Sequence, residues 1–129
     1  MAGSRQLFLL ASVLGFLGVA LGAFGAHGLT ARLAPLADGA ARLEWWKTGA
    51  QYHLLHAVAV GIAASLSASR EGKAATIAAI AFAAGIALFS GSLYTMTLTG
   101  IRALGAATPL GGLAFLVGWA ALGVGGMRP

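Results

Sequence analysis

The sequence predicts an all-α integral membrane protein, a four-helix transmembrane bundle running up-down-up-down with a short interfacial helix between spans one and two. Three observations predict it. Every charged residue lies at the edge of a long apolar run, leaving residues 6–31, 48–69, 74–101 and 103–127 free of Asp, Glu, Lys and Arg. Each stretch reaches the ~20 residues that a helix needs to cross the hydrocarbon core. The chain of 129 residues is 59% hydrophobic and only 9% charged, with mean hydropathy +0.88. A soluble domain carries roughly 25% charged residues, so lipid has to supply the solvent that polar surface would otherwise meet. Small residues also recur at helical spacing inside the runs. All 129 residues form one expected membrane domain, with spans at about 6–25, 49–66, 74–97 and 109–126.

Span one carries Ala11, Gly15, Gly18, Gly22 and Gly25 at steps of three and four, which places them on one face. Small residues there let a neighbouring backbone approach, the usual basis of helix association in lipid. Substituting Gly18 by leucine is expected to force helices apart. The apolar part is too long for a signal-peptide core of ~7–15 residues, so an uncleaved span is expected. Residues 29–44 form the sizeable connection, interrupted by Pro35. Asp38 is placed to cap a helix starting near Gly39, which runs on through Trp45 and Trp46. Leu29, Leu33, Leu36 and Leu43 are expected on the membrane surface with Arg32 and Arg42 toward phosphates. Trp45, Trp46 and Tyr52 suit an aromatic belt.

The short polar run 67–73 makes spans two and three antiparallel neighbours. Span three offers Gly85 and Gly91 as contact points. Pro109 fits the first turn of span four, where its missing N–H costs nothing. Gly111, Gly118 and Gly125 then recur at heptad steps as a packing face. Lys and Arg divide four against four between the two sides. The positive-inside rule therefore does not choose an orientation, and the short flanks favour cytoplasmic termini.

The net charge is +5 and the isoelectric point near 10.9. The cations are scattered over short loops without a basic stripe, which argues against nucleic acid and for anionic lipid headgroups. With no cysteine, thiol catalysis, disulfides and iron–sulfur clusters are excluded.

Alternating spans gather the polar groups at one end: His27 from span one, Tyr52, His53 and His56 from span two, Ser90, Ser92, Tyr94, Thr95 and Thr97 from span three, and Thr108 before span four. The other half is nearly pure Ala, Leu, Ile, Val and Gly. Polar side chains in a bilayer usually face the bundle interior or a wet cavity. His53 and His56 share a face, and His27 is close enough in the topology to join them. Three imidazoles could hold Zn or Cu or relay protons. The plainer reading, which we favour, is that they bond to hydroxyls and carbonyls and lock the helices. No span contains a carboxylate to orient a metal-bound imidazole, which leaves only Asp38 or Glu44 folded over from the connection to do so. A serine nucleophile at Ser90 or Ser92 would lack an orienting acid and an oxyanion hole, so no catalytic set is expected. Tyr94 is placed either to bond a histidine or to sit at the interface.

Four blocks carry a family resemblance: Leu21-Gly-Ala-Phe-Gly-Ala-His-Gly-Leu29, Trp46-x-Thr-Gly-x-x-Tyr-His-x-x-His-Ala57, Phe89-Ser-Gly-Ser-Leu-Tyr94, and Thr108-Pro-Leu-Gly-Gly112 with Gly118-Trp119. In order and across essentially the whole chain, they resemble the YgdD/YwdK-type family of small bacterial membrane proteins, which has eukaryotic relatives. The resemblance implies a four-span protein of the bacterial inner membrane with no established molecular function and no catalytic residues to carry over.

The expectation is therefore a non-enzymatic binding or accessory protein, without a cofactor, in contact with membrane lipids. It is expected either as a homo-oligomer or as an accessory subunit of a membrane complex. Its candidate ligand-binding residues are His27, Trp46, Thr48, Tyr52, His53, His56, Ser90, Ser92, Tyr94 and Thr108. The alternatives are a small transporter or channel with histidine-based proton coupling, and a metal- or haem-binding membrane component.

Overall fold

The computed structural model describes residues 2–129. Among them four helices are long and apolar enough to cross a membrane: α1 (Gly3–Leu33), α2 (Gly39–Ser69), α3 (Ala74–Thr99) and α4 (Arg102–Met127). α1 and the amino-terminal end of α2 extend beyond their apolar runs, whereas α3 stops two residues short of the end of its run. The interfacial helix is the amino-terminal part of α2, continuous with the span.

Two helices change pitch inside the membrane. In α1, Gly25–Leu29 is a π-helical turn, and the Thr30 hydroxyl donates to the Gly25 carbonyl at 2.8 Å. In α3, Ile86–Ser90 is a second such turn. The α3 helix ends at Gly100, whose φ of 74° is the left-handed conformation that glycine adopts freely. Pro109 lies in the first α-helical turn of α4, after a 3₁₀ stretch over Arg102–Ala107. Asp38 precedes Gly39 but makes no side-chain cap. It pairs instead with Arg42 at 3.6 Å, one turn along its own helix.

All sequential neighbours are antiparallel. α1 packs chiefly on α2, α2 on α3, and α3 on α4, while α1 and α4 have almost no contact. Helices α2 and α3 form the short diagonal of a rhombus and α1 and α4 its far corners. The centre is built from small residues around one large ring: Ala57, Ala63, Ala64, Ala78 and Ala79 surround Phe82, all buried. Large apolar side chains such as Leu9, Phe16, Leu55, Ile80 and Leu116 point outward. This distribution suits a lipid solvent, where burying apolar surface between helices gains nothing over burying it in lipid, and close backbone approach is the attractive term.

The α3–α4 seam has a single register. Gly111 sits against the backbone of Phe89, Gly85 against the ring of Phe115, Gly118 against Phe82, and Gly125 beside Ala75. Gly91, expected as a contact, faces open space, as do Gly15 and Gly22 of α1, whereas Gly18 touches His53 and Leu54. Leu29 and Leu33 also depart from expectation. They are buried and form a small second core with Trp46 rather than lying on the membrane surface. A turn of α1 continues past the π-helical segment and folds these leucines onto α2.

A Cβ at Gly111 would stand 2.3 Å from the Phe89 nitrogen, a backbone atom that has no rotamer to yield. Gly111→Ala should lower stability by about 1–3 kcal/mol through overpacking. Gly15→Ala should leave it unchanged or raise it by about 0.5–1 kcal/mol, since alanine is the better helix former. Thermal unfolding in detergent followed by circular dichroism distinguishes the two.

Candidate functional site

The polar half of the bundle is tied together by side-chain hydrogen bonds that join the helices pairwise. Trp46, only 2% exposed, donates from Nε1 to the Leu21 carbonyl of α1 at 2.8 Å. Its ring fills the notch left by Gly25, where a Cβ would come within 2.4 Å of it. Phe24 meets it edge-on at 5.6 Å, and Tyr94 lies 4.5 Å away on the other side. Trp46 is thus an internal wedge and not a member of the interfacial belt. Trp45 stays nearer the surface, half-buried.

His53 links three helices. Its Nε2 lies 2.8 Å from the Leu14 carbonyl of α1 and its Nδ1 2.9 Å from the Tyr94 hydroxyl of α3. A carbonyl only accepts, so Nε2 carries the proton, and the neutral ring takes the tyrosine proton at Nδ1. His56 has the opposite tautomer. Its Nδ1 donates to the Tyr52 carbonyl at 2.7 Å, and its Nε2 accepts from Trp119 Nε1 of α4 at 3.1 Å. Indole N–H is only a donor, so His56 Nε2 must be unprotonated. Both imidazoles are buried and both ring nitrogens of each are engaged.

Between α2 and α3, the buried Ser90 hydroxyl donates to the Gly49 carbonyl at 2.7 Å. The Thr97 hydroxyl lies 3.0 Å from the Arg42 carbonyl, and Arg42 Nε returns a bond of 2.7 Å to the Thr97 carbonyl. Arg42 therefore turns inward to α3 instead of toward phosphates. Ser92 and Thr108 bond across α3 and α4 at 2.6 Å. No buried side-chain nitrogen or oxygen among the described residues lacks a partner. Serine bonded to a helix carbonyl, with no imidazole on it, is a structural serine.

The histidines do not assemble as a triad. His27 lies on the exposed side of α1, because Gly25 and Leu29 face α2 and His27, between them, points away. Among the described residues no group of three His, Cys, Asp or Glu could hold a metal ion. Thr48 is exposed and outside the network.

Tyr52 is 41% exposed and opens onto a feature absent from the expectations. A groove of about 660 Å³ runs between α2 and α4 on the lipid-facing side. Its floor is aromatic: Phe115 stacks on His56 at 3.6 Å, Tyr52 lies 4.5 Å from Phe89, and Trp119, 43% exposed, closes the deep end. Pro109, Gly112 and Leu113 supply the α4 rim. Sequence reasoning missed Phe89, Phe115 and Trp119 because their spacing equally describes packing residues. The usable signal was Gly112, a second glycine beside the packing glycine Gly111 and rotated away from α3.

Comparison with known proteins places this geometry in a family context. Residues 21–112 match the model of a family described as "Protein of unknown function (DUF423)". That stretch contains most of the hydrogen-bonded network. The chain is 42% identical to the UPF0382 membrane protein YwdK of Bacillus subtilis over 116 residues, covering 89% of this chain and 90% of that protein. It is 41% identical to a UPF0382 membrane protein of Haemophilus influenzae over 119 residues, 92% and 91% of the two chains. With the UPF0382 inner membrane protein YgdD of Escherichia coli K12 it shares 39% identity over 126 residues, 97% and 92%. No solved structure matches the chain. The four spans and these relatives identify an integral protein of the inner membrane.

His56→Ala removes the acceptor of the Trp119 N–H and the ring stacked on Phe115. Its thermal stability in detergent should fall by roughly 1–3 kcal/mol, the cost of a donor left without a partner away from water. His27→Ala, on the exterior, should stay within about 0.5 kcal/mol of the parent.

Proposed function

Given that the chain belongs to the DUF423 family of membrane proteins, which carries no assigned activity, we propose that it is a non-enzymatic membrane protein that binds an amphiphile in the groove between α2 and α4. The observation that carries this reading is the aromatic floor of Tyr52, Phe89, His56, Phe115 and Trp119 left open to lipid. The other aromatic cluster, Phe24, Trp46 and Tyr94, is packed inside the bundle around the buried Trp46. The groove's volume falls within the range of small-molecule sites, and its lining is apolar with a few polar atoms at the edge, as such sites are.

The neighbouring polar groups support a binding role over chemistry. A general base needs a nitrogen within reach of a substrate proton, and all four nitrogens of His53 and His56 are committed to partners in the protein. Proton-coupled transport draws on titratable side chains in a water-filled path. Here the in-span titratable groups are the sealed His53, His56 and Tyr94, together with Tyr52 on the groove and His27 on the outer side of α1, away from it. The network fixes the walls, and the groove between them is the surface available to a ligand.

Gly112 borders the groove, and a Cβ there meets nothing within 4 Å, so Gly112→Phe should fold while filling the groove. Native mass spectrometry of protein gently extracted from membranes tests the proposal. The parent and Gly15→Phe, altered on the open face of α1, should carry a bound amphiphile, and Gly112→Phe should lose at least nine-tenths of it. Equal occupancy in all three proteins, or none in the parent, would overturn the reading.

A further inference from the structure

We propose that the occupant of the groove is an anionic glycerophospholipid, one acyl chain lying along the aromatic floor and the phosphate held at the mouth by Arg102 and Thr48. The inference rests on the groove reading above and adds the ligand's length, leaflet and charge.

Length comes from the helices. The groove extends along α4 from Pro109 to Trp119, ten residues, or ~15 Å at the α-helical rise. That is half of a hydrocarbon core of ~30 Å, the depth that one acyl chain occupies. The groove begins near the polar connections and stops at the Trp119 indole near mid-membrane, so it belongs to one leaflet.

Charge comes from the mouth. Trp45, Thr48 and Tyr52 are spaced three and four apart on α2 and so form one stripe, the one that leads from the membrane surface down to the groove. The Arg102 guanidinium stands 5.3 Å from the centre of the Trp45 ring, which holds it over the top of this stripe. Arg102 is exposed, and no described carboxylate pairs with it. The acidic residues of this end are engaged elsewhere, Asp38 with Arg42 and Glu44 with Lys47. Thr48 adds an exposed hydroxyl on the same stripe. A fixed cation, a hydroxyl donor and a chain-length apolar trough below them match a phosphate with an acyl tail. A zwitterionic headgroup would bring its ammonium to the same guanidinium and bind less well. Arginine is the residue suited to phosphate, since its fork donates two parallel bonds.

The test uses the intact protein in phosphatidylcholine vesicles, with tryptophan fluorescence quenched by lipids brominated on the acyl chain. At equal mole fraction, brominated phosphatidylglycerol should bind about fivefold more strongly than brominated phosphatidylcholine, the effect of one interfacial cation. Arg102→Gln should bring that ratio close to one, and Arg102→Lys should restore part of it. Gly112→Phe should reduce quenching by both lipids. Equal quenching by the two headgroups in the parent, or a ratio unmoved in Arg102→Gln, would overturn the phospholipid assignment. If Gly112→Phe still reduced quenching by both, the groove reading would survive that result. If Gly112→Phe changed neither, the groove itself would fail as a site.

Discussion

Inside hydrocarbon no water competes for a polar side chain, so each buried hydroxyl, imidazole or indole N–H must find its partner in the protein. The structure depends on that constraint. His53 reaches the Leu14 carbonyl and the Tyr94 hydroxyl, Trp46 the Leu21 carbonyl, and Ser90 the Gly49 carbonyl. Each bond crosses from one helix to another. In water such bonds would trade evenly with solvent, but in lipid they decide which faces meet. The glycines act in concert, because a carbonyl on the next helix is in reach only where the backbones come close. Gly49 itself packs against Leu93 and Tyr94 while its carbonyl takes the Ser90 proton.

The rhombic arrangement follows from where these bonds fall. α2 supplies Trp46, His53 and His56, and so contacts all three other helices. α1 and α4 have no such group for each other, and they stay apart. The groove between α2 and α4 is a product of the same geometry. Those two helices are parallel and not sequence neighbours, and the Trp119–His56 bond holds them at the deep end while the span above is left for aromatic rings.

Much of this was legible in the sequence. The four spans, the antiparallel order, the glycine faces of α4 and the gathering of polar residues at one end follow from charge placement and helical spacing. The pairing of Tyr94 with a histidine was one of two readings, and the structure selects it. The directions of individual side chains were less legible. Arg42 was expected to face phosphates because arginine at a membrane edge ordinarily does. It turns inward because the end of α3 offers the Thr97 carbonyl. Trp46 was assigned to the aromatic belt by type and depth, yet Gly25, 21 residues earlier, leaves a notch of its shape. His27 was grouped with the other histidines by depth alone. The heptad step from Gly18 to Gly25 already fixes the inward face of α1, and His27, two residues on, falls on the opposite side at the α-helical period of about 3.6 residues per turn. These are facts of rotation about a helix axis and pairing across helices, which depth in the membrane does not encode.

The end opposite the network is held differently. There α2, α3 and α4 meet largely through alanine and glycine, with a long hydroxyl contact between Ser67 and Thr76 at 3.4 Å and a hydrogen bond from the Arg70 guanidinium to the Arg128 carbonyl. Close packing sets the register of this end, while at the polar end oriented hydrogen bonds are added to it. The molecule therefore has a polar end cross-linked through side chains of all four helices and an apolar end held chiefly by the fit of small residues. A substitution that adds bulk at the apolar end is thus met by packing alone, whereas one at the polar end also breaks a directed bond.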